Sequence, residues 1–265
     1  MSSQWEKELR SFFDIRSEEV EKERVTLETL CYVSGRDPRL WKDQDLYDDM
    51  IESIKELLEL GSNHSLLEVG CATGFLALGL SKIVHHYTGV DLSQRAVQVA
   101  STLNLRNASF QKANGEHLPF PGNHFDRSLC YDVVTNFPDF LFIKPIIREM
   151  IRVIKPRGKV LIGSVPDEEK KEDFQGLVQK VGVQLEKSFG PTKNPVAGRS
   201  FLMNLRKWYL KKFKKIEPQI VCYYFRKDDF ITVGKELDLK TEIFDIHKKN
   251  PYYGYRFNVV YTKTS

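Results

Sequence analysis

The stretch "SLLEVGCATGFLALGLS", Ser65 to Ser81, decides the fold. Leu66, Leu67 and Val69 surround Glu68 in a short β-favouring run, Gly70 and Gly74 bracket a tight turn, and Phe75, Leu76, Leu78 and Leu80 continue as an apolar helical stretch. A strand, a glycine turn and a helix in that order let the backbone approach a ligand and offer it free N–H groups. A pyrophosphate turn needs G-x-G-x-x-G, and a Walker loop needs Gly-Lys-Ser/Thr. Here the spacing is G-x-x-x-G, Gly79 falls at the wrong offset, and Phe75 follows Gly74, so neither phosphate motif fits. Two acids remain, Glu68 before the turn and Asp91 at the end of the next apolar run. They suit a nucleoside with free ribose hydroxyls and a cationic tail.

Outward from the turn, strands alternate with helices. Tyr87–Val90 reads as a strand, Ser93 caps the helix "QRAVQVASTL", and Ala108 to Lys112 is a further strand. "RSLCYDVV" and "KVLIGSV" read as buried strands around the helix "FIKPIIREMIRVI", which "KPRG" stops. Such alternation implies parallel strands joined by right-handed crossovers. The end supplies a helix, "DDFITVGKEL", and two strands, "KTEIFDI" and "YRFNVVYT", joined by a loop too short for a helical crossover. The expected fold is therefore α/β: a doubly wound, seven-stranded, Rossmann-like sheet, mostly parallel with a C-terminal antiparallel hairpin. Helices cover both faces, with helical additions at the N-terminus and in mid-chain. Four parts are expected: a helical cap over 1–62, a cofactor-binding core over 63–165, a helical insertion over 166–225 and the last part of the sheet over 226–265. Gly61-Ser62-Asn63 is expected to end the second N-terminal helix.

With 41% hydrophobic and 29% charged residues the composition is that of a soluble globular protein. No apolar run reaches the ~20 residues of a membrane span, and the charged start lacks a signal core, so a cytoplasmic location is expected. Cys31, Cys71, Cys130 and Cys222 show no metal-ligand spacing, and no H-E-x-x-H occurs, so no metal site is expected. The net charge of +4 does not call for a nucleic-acid partner.

The blocks from Leu66 to Gly163 resemble the class I S-adenosylmethionine (SAM)-dependent methyltransferases, in the type 11, ubiquinone/menaquinone methyltransferase-like small-molecule branch. "LLEVGCATG" matches the first motif, "TGVDLS" the ribose strand and "ANGEHLPFPGNHFD" the adenine loop. "RSLCYDVVTNF" matches the fourth motif, and "IREMIRVIKPRGKVLI" the helix, turn and fifth strand. The resemblance implies SAM as cofactor and S-adenosylhomocysteine as product. It places Glu68, Gly70, Ala72 and Gly74 around the amino-acid end, and Asp91 on the ribose. Leu92, Asn114, Gly115 and Glu116 fall around the adenine, and Cys130 and Tyr131 beside the sulfonium. Two positions depart from the family pattern: Ala72 stands where glycine is usual, and Asn114 where aspartate is usual.

Because the cofactor carries its own electrophile, rate comes mainly from alignment and water exclusion. A base is needed only when the acceptor must lose a proton. His117, Asp132 and Asp139 are candidates for that task, with Tyr131 and Asn136 to orient a polar acceptor. "TNFPD" stands in place of the tetrad used for amino groups of nucleic acid or protein, which weighs against those substrates. Trp41 and Tyr47 are either lid residues or aromatics packed on the sheet, and Arg36 and Arg39 can meet a carboxylate or phosphate. Around the basic stretch Arg206–Lys215, Leu202, Leu205, Tyr209, Phe213 and Ile216 recur at helical spacing, which reads as an amphipathic helix that is solvated or in weak contact with an anionic substrate or membrane surface. The expected activity is methyl transfer to a small-molecule acceptor, with O- or N-methylation of a sugar or secondary metabolite favoured. C-methylation of a quinone-like ring and a non-catalytic SAM-binding role are the alternatives.

Overall fold

The computed structural model describes residues 4–20, 25–176, 200–216 and 221–264. Four helices come first: α1 (Gln4–Val20), α2 (Leu27–Val33), α3 (Pro38–Trp41) and α4 (Gln44–Leu58). The sheet region then runs β1 (Ser65–Val69), α5 (Ala77–Leu80), β2 (His86–Asp91), α6 (Gln94–Ser101), β3 (Ala108–Lys112), β4 (Phe125–Tyr131), α7 (Ile143–Val153) and β5 (Ile154–Pro166). After the mid-chain segment, in which α8 (Ser200–Tyr209) is described, come α9 (Lys227–Glu236), β6 (Leu239–Asp245) and β7 (Arg256–Lys263).

The strands form one seven-stranded sheet in the order β3-β2-β1-β4-β5-β7-β6. β1 through β5 pair in parallel, and β7 lies antiparallel between β5 and β6. Side chains alternate across it, as period-two geometry demands. Leu67, Cys130, Val160 and Ile162 face a core with α7 and α9, while Leu66, Leu129, Tyr131 and Leu161 face a core with α4. Burial on both faces explains why these strands read as unbroken apolar runs.

Helix ends follow their local chemistry. Ser93 Oγ accepts from Ala96 N at 3.0 Å, and Pro145 is tolerated because it sits in the first turn of α7. α4 closes two residues before Gly61: Glu59, not the glycine, takes the left-handed position at φ 50°. The regular part of α5 is shorter than the apolar pattern suggests, since turns occupy 72–76 and 81–83. Trp41 and Tyr47 belong to the α4 core, where Tyr47 Oη donates to Phe75 O at 2.9 Å. Neither lines the site described below.

The helix expected over 168–188 is described only to residue 176, and the loop over 190–199 and the side chain of Leu202 lie outside the described residues. In α8 and the π-helical turn Leu210–Lys214, Leu205, Trp208, Tyr209 and Phe213 remain about half exposed. Among the described residues no helix is long and apolar enough to cross a membrane.

Candidate active site

The turn after β1 is built for close approach. Gly70 N and Cys71 N donate to Val90 O at 2.8 and 3.0 Å, which ties the turn to the end of β2. Gly70 and Gly74 both have φ +84°, and a Cβ on Gly70 would lie 2.4 Å from Val133 Cγ2. Ala72 also adopts the left-handed region, at φ 44°, where a side chain costs roughly 1–2 kcal/mol. This is the physical reason glycine is usual there. Asp91 holds the strained turn: its Oδ2 accepts from Ala72 N at 2.9 Å and its Oδ1 from Ser93 N at 2.8 Å.

These elements open onto a cavity of about 290 Å³. Of the residues singled out in the sequence, Glu68, Gly70, Ala72, Asp91, Leu92, Asn114, Gly115 and Glu116 line it, as do Tyr131, Asp132 and Asn136. Gly74 and Cys130 do not. Gly74 faces Leu103 and Ala100 of the α6 region, and Cys130 is a fully buried core thiol whose pKa burial raises. His117 is exposed outside the cavity, and Asp139 is exposed with Oδ1 capping Leu141 N at 2.8 Å. Asn114 uses Oδ1 on Glu116 N at 3.0 Å, which leaves the second lone pair of that oxygen for a ligand.

Among the described residues there is no metal-ligating cluster of three or more side chains. Glu68 is 2% exposed, and burial pushes its carboxyl up to about 8 against the pull of Arg36. The Tyr87 hydroxyl donates to Glu68 Oε2. Burial likewise raises Asp91, opposed by the backbone N–H groups of Ser93 and Ala72. Two acids held in one cavity fit a ligand with an ammonium group and a ribose. Val69, Leu92, Ala113 and Ile146 supply the apolar walls an adenine needs.

Two parts of the site were not evident from sequence. The N-terminal turns of α1 cross the cavity, where Trp5, Glu6, Leu9, Arg10 and Phe13 line it and Trp5 packs edge-on against Phe137 and Phe142 at 5.3 Å. The signal was there in the i, i+4, i+8 spacing of Trp5, Leu9 and Phe13. The second part is a charged knot. Asp132, left-handed at φ 60°, accepts from Arg36 Nη2 at 2.8 Å and from Arg256 Nη1 at 2.5 Å. Arg39, by contrast, is held by Asp37 at 2.6 Å and lines neither this cavity nor its neighbour. That neighbour, about 160 Å³, is lined in part by Ser34, Arg36, Asp132 and Asn136, which it shares with the first.

The loop after β3, expected from the resemblance to meet the adenine, is pinned from α7: Leu118 N donates to Glu149 Oε2 at 2.8 Å, and Arg152 donates to Leu118 O and Phe120 O at 3.0 and 2.9 Å.

Residues 67–162 match the profile of the type 11 methyltransferase domain. The chain is similar to the uncharacterised methyltransferase YcgJ of Bacillus subtilis, 30% identical over 135 residues, which cover 48% of this chain and 52% of that protein. It is also similar to the ubiquinone/menaquinone biosynthesis C-methyltransferase UbiE of Rickettsia bellii, 34% identical over 134 residues, 46% of this chain and 49% of that one. The chain thus spans about half the length of the curated relatives it matches. Among solved structures, the DhpI-SAM-HEP complex aligns over 99% of both chains with a TM-score of 0.59 at 14% identity, a likeness of fold. The motif match, the sheet order and the two-acid cavity converge on residues 67–162, which match a type 11 methyltransferase domain and fold as SAM-dependent methyltransferases do.

Proposed function

We propose that this chain transfers the methyl group of SAM to a small polar molecule seated in the second cavity. The observation that carries the reading is the junction of the two cavities. The larger fits the methyl donor, the smaller is lined by the loop after α2, the segment after β4 and residues of the C-terminal part of the chain, and the two share Asp132 and Asn136. A volume of about 160 Å³ suits a small acceptor group.

On this reading Glu68 meets the donor's ammonium group, Asp91 the ribose hydroxyls, and the Asn114–Glu116 backbone the adenine. When bound, the donor supplies an electrophilic methyl carbon. The chain aligns the acceptor with it and excludes water, helped by the aromatic cover of Trp5, Phe137 and Phe142. Of the side chains weighed as a base, Asp132 has both oxygens on guanidiniums, and His117 and Asp139 stand outside the donor cavity. Burial raises the Tyr131 phenol, which keeps it protonated. This supports methylation of an atom that needs no protein base, such as an amine nitrogen or an oxygen that ionises unaided. It favours N-methylation, or O-methylation of an acidic hydroxyl, over attack by a sugar hydroxyl. The similarity to UbiE covers 46% of this chain, and the charged lining of the second cavity suits a quinone ring poorly.

Incubation with methyl-labelled SAM and a panel of amines, phenols, hydroxy acids and sugars tests the reading. Label is expected in a small amine or acidic hydroxyl compound. Label transferred only to protein or RNA would overturn it.

A further inference from the structure

The second cavity has a chemistry of its own. Arg36 and Arg256 both line it, and their side chains are 8% and 9% exposed. Two guanidiniums face the single carboxylate of Asp132, so the buried group carries one unbalanced positive charge. Burying an uncompensated charge is expensive, and such groups are normally paired. The donor inventory shows the same shortfall. Arg36 Nε and Arg256 Nε are buried without a hydrogen-bond partner, and so is the amide oxygen of Asn136, whose Nδ2 donates to Val133 O at 3.1 Å. Buried polar atoms left this way are rare in folded proteins, and three on residues that line one cavity call for a partner.

The fold goes to some length to hold this group. Arg256 begins β7, and its Nη1 also donates to Ser164 Oγ at 3.0 Å. Ser164 sits on the irregularity between Ile162 and Val165 where β5 meets β7, in the left-handed region at φ 58°. The ring of Tyr252 lies under the Arg256 guanidinium at 3.9 Å, and Phe75 under that of Arg36 at 4.6 Å. Rigid guanidiniums backed by aromatic faces recognise planar or tetrahedral oxyanions in a fork geometry.

We propose that Arg36 and Arg256 form an oxyanion subsite for the methyl acceptor, which carries a carboxylate or phosphate-type group on the two guanidiniums and donates an N–H or O–H to Asn136 Oδ1. The name of the ligand rests on the methyl-transfer reading above; the existence of an oxyanion site does not. The acceptor is thereby a small acid with its nucleophilic atom a short distance from the anionic end.

The test is calorimetric titration of the protein, saturated with S-adenosylhomocysteine, with inorganic phosphate, methylphosphonate and acetate. The tetrahedral and carboxylate probes separate the two kinds of oxyanion. Arg256→Gln is expected to weaken the preferred probe about tenfold or more, as loss of a charge-assisted contact does. Its S-adenosylhomocysteine affinity should stay within about twofold, because Arg256 does not line the donor cavity. Asp132→Asn keeps the left-handed backbone but leaves two buried guanidiniums without their carboxylate, so it should be strongly destabilised, bind the probe about tenfold more tightly and regain stability when the oxyanion is present. That gain is not expected of a purely structural knot. Should Arg256→Gln be unstable, Arg256→Lys carries the comparison. Oxyanion affinity that is absent at millimolar concentration, or equal in all variants, while S-adenosylhomocysteine binds normally would overturn the subsite and leave methyl transfer standing. Oxyanion binding without S-adenosylhomocysteine binding would overturn the acceptor assignment.

Discussion

Replacing Glu68 by glutamine keeps the shape of a fully buried acid and removes its ability to ionise. The ordinary carboxyl value is 4.5, and burial in the folded protein pushes it to about 8. Between those values the folded state holds a proton that the unfolded chain has released, so stability falls as pH rises through the window. At ~1.4 kcal/mol per pH unit, the loss reaches about 3 kcal/mol at pH 7 and about 5 kcal/mol above pH 8. Glutamine can still accept from the Tyr87 hydroxyl and has no charge to bury. Urea unfolding should therefore find Glu68→Gln equal to the parent near pH 4.5 and more stable by about 3 kcal/mol near pH 7. The functional cost should appear in SAM binding. The donor's ammonium group favours the ionised carboxylate, so near pH 7 the parent should release close to one proton as SAM binds, read as a dependence of binding heat on buffer ionisation. Glu68→Gln should release less and bind SAM about tenfold more weakly. A stability gap that does not change with pH, or a parent more stable than the variant near pH 8, would refute the reasoning.

Other expectations follow from the same geometry. Asp91→Ala removes the acceptor of two backbone N–H groups and the expected ribose contact, and should weaken SAM about 10- to 100-fold by calorimetry. Ala72→Gly relieves a left-handed alanine; after the extra freedom of the unfolded chain is counted, it should gain up to about 1 kcal/mol in denaturant unfolding. Gly70→Ala puts a methyl into Val133 at φ +84° and should lose about 2 kcal/mol or more, together with SAM binding. Arg152→Ala frees the carbonyls of Leu118 and Phe120 and should raise hydrogen exchange in the adenine loop, with a smaller loss of SAM affinity than Asp91→Ala.

What could be read from the chain divides by sequence distance. The strand–turn–helix at Ser65–Ser81, the cap at Ser93 and the hairpin before Thr264 depend on neighbours a few residues apart, so pattern alone locates them. Asp91 ends β2, which pairs in parallel with β1, and Asn114 follows β3, which pairs in parallel with β2, so both fall at the same edge of the sheet as the glycine turn. The lid could not. Trp5, Leu9 and Phe13 form an ordinary apolar stripe, and only the docking of α1 beside α6, helped by Ser93 Oγ donating to Asp14 Oδ1 at 2.6 Å, turns that stripe over the cavity. Trp41 and Tyr47 had the same local appearance and went to the core instead. The Arg36–Asp132–Arg256 group was least legible of all: Arg256 lies 124 residues from its carboxylate, and a β-irregularity at Ser164 helps aim it. Arg39, equally basic and three residues from Arg36, is neutralised locally by Asp37. Charge in sequence does not reveal which arginine the fold leaves unbalanced.

The central claim is that the cavity behind "EVGCATG" holds SAM and that the chain uses it. Its most direct test is calorimetry of the wild-type chain with SAM, S-adenosylhomocysteine and NAD. One molecule of SAM or of S-adenosylhomocysteine is expected to bind per chain, competitively, with NAD giving no heat. Failure of both adenosyl compounds to bind, or saturable binding of NAD in their place, would contradict the account.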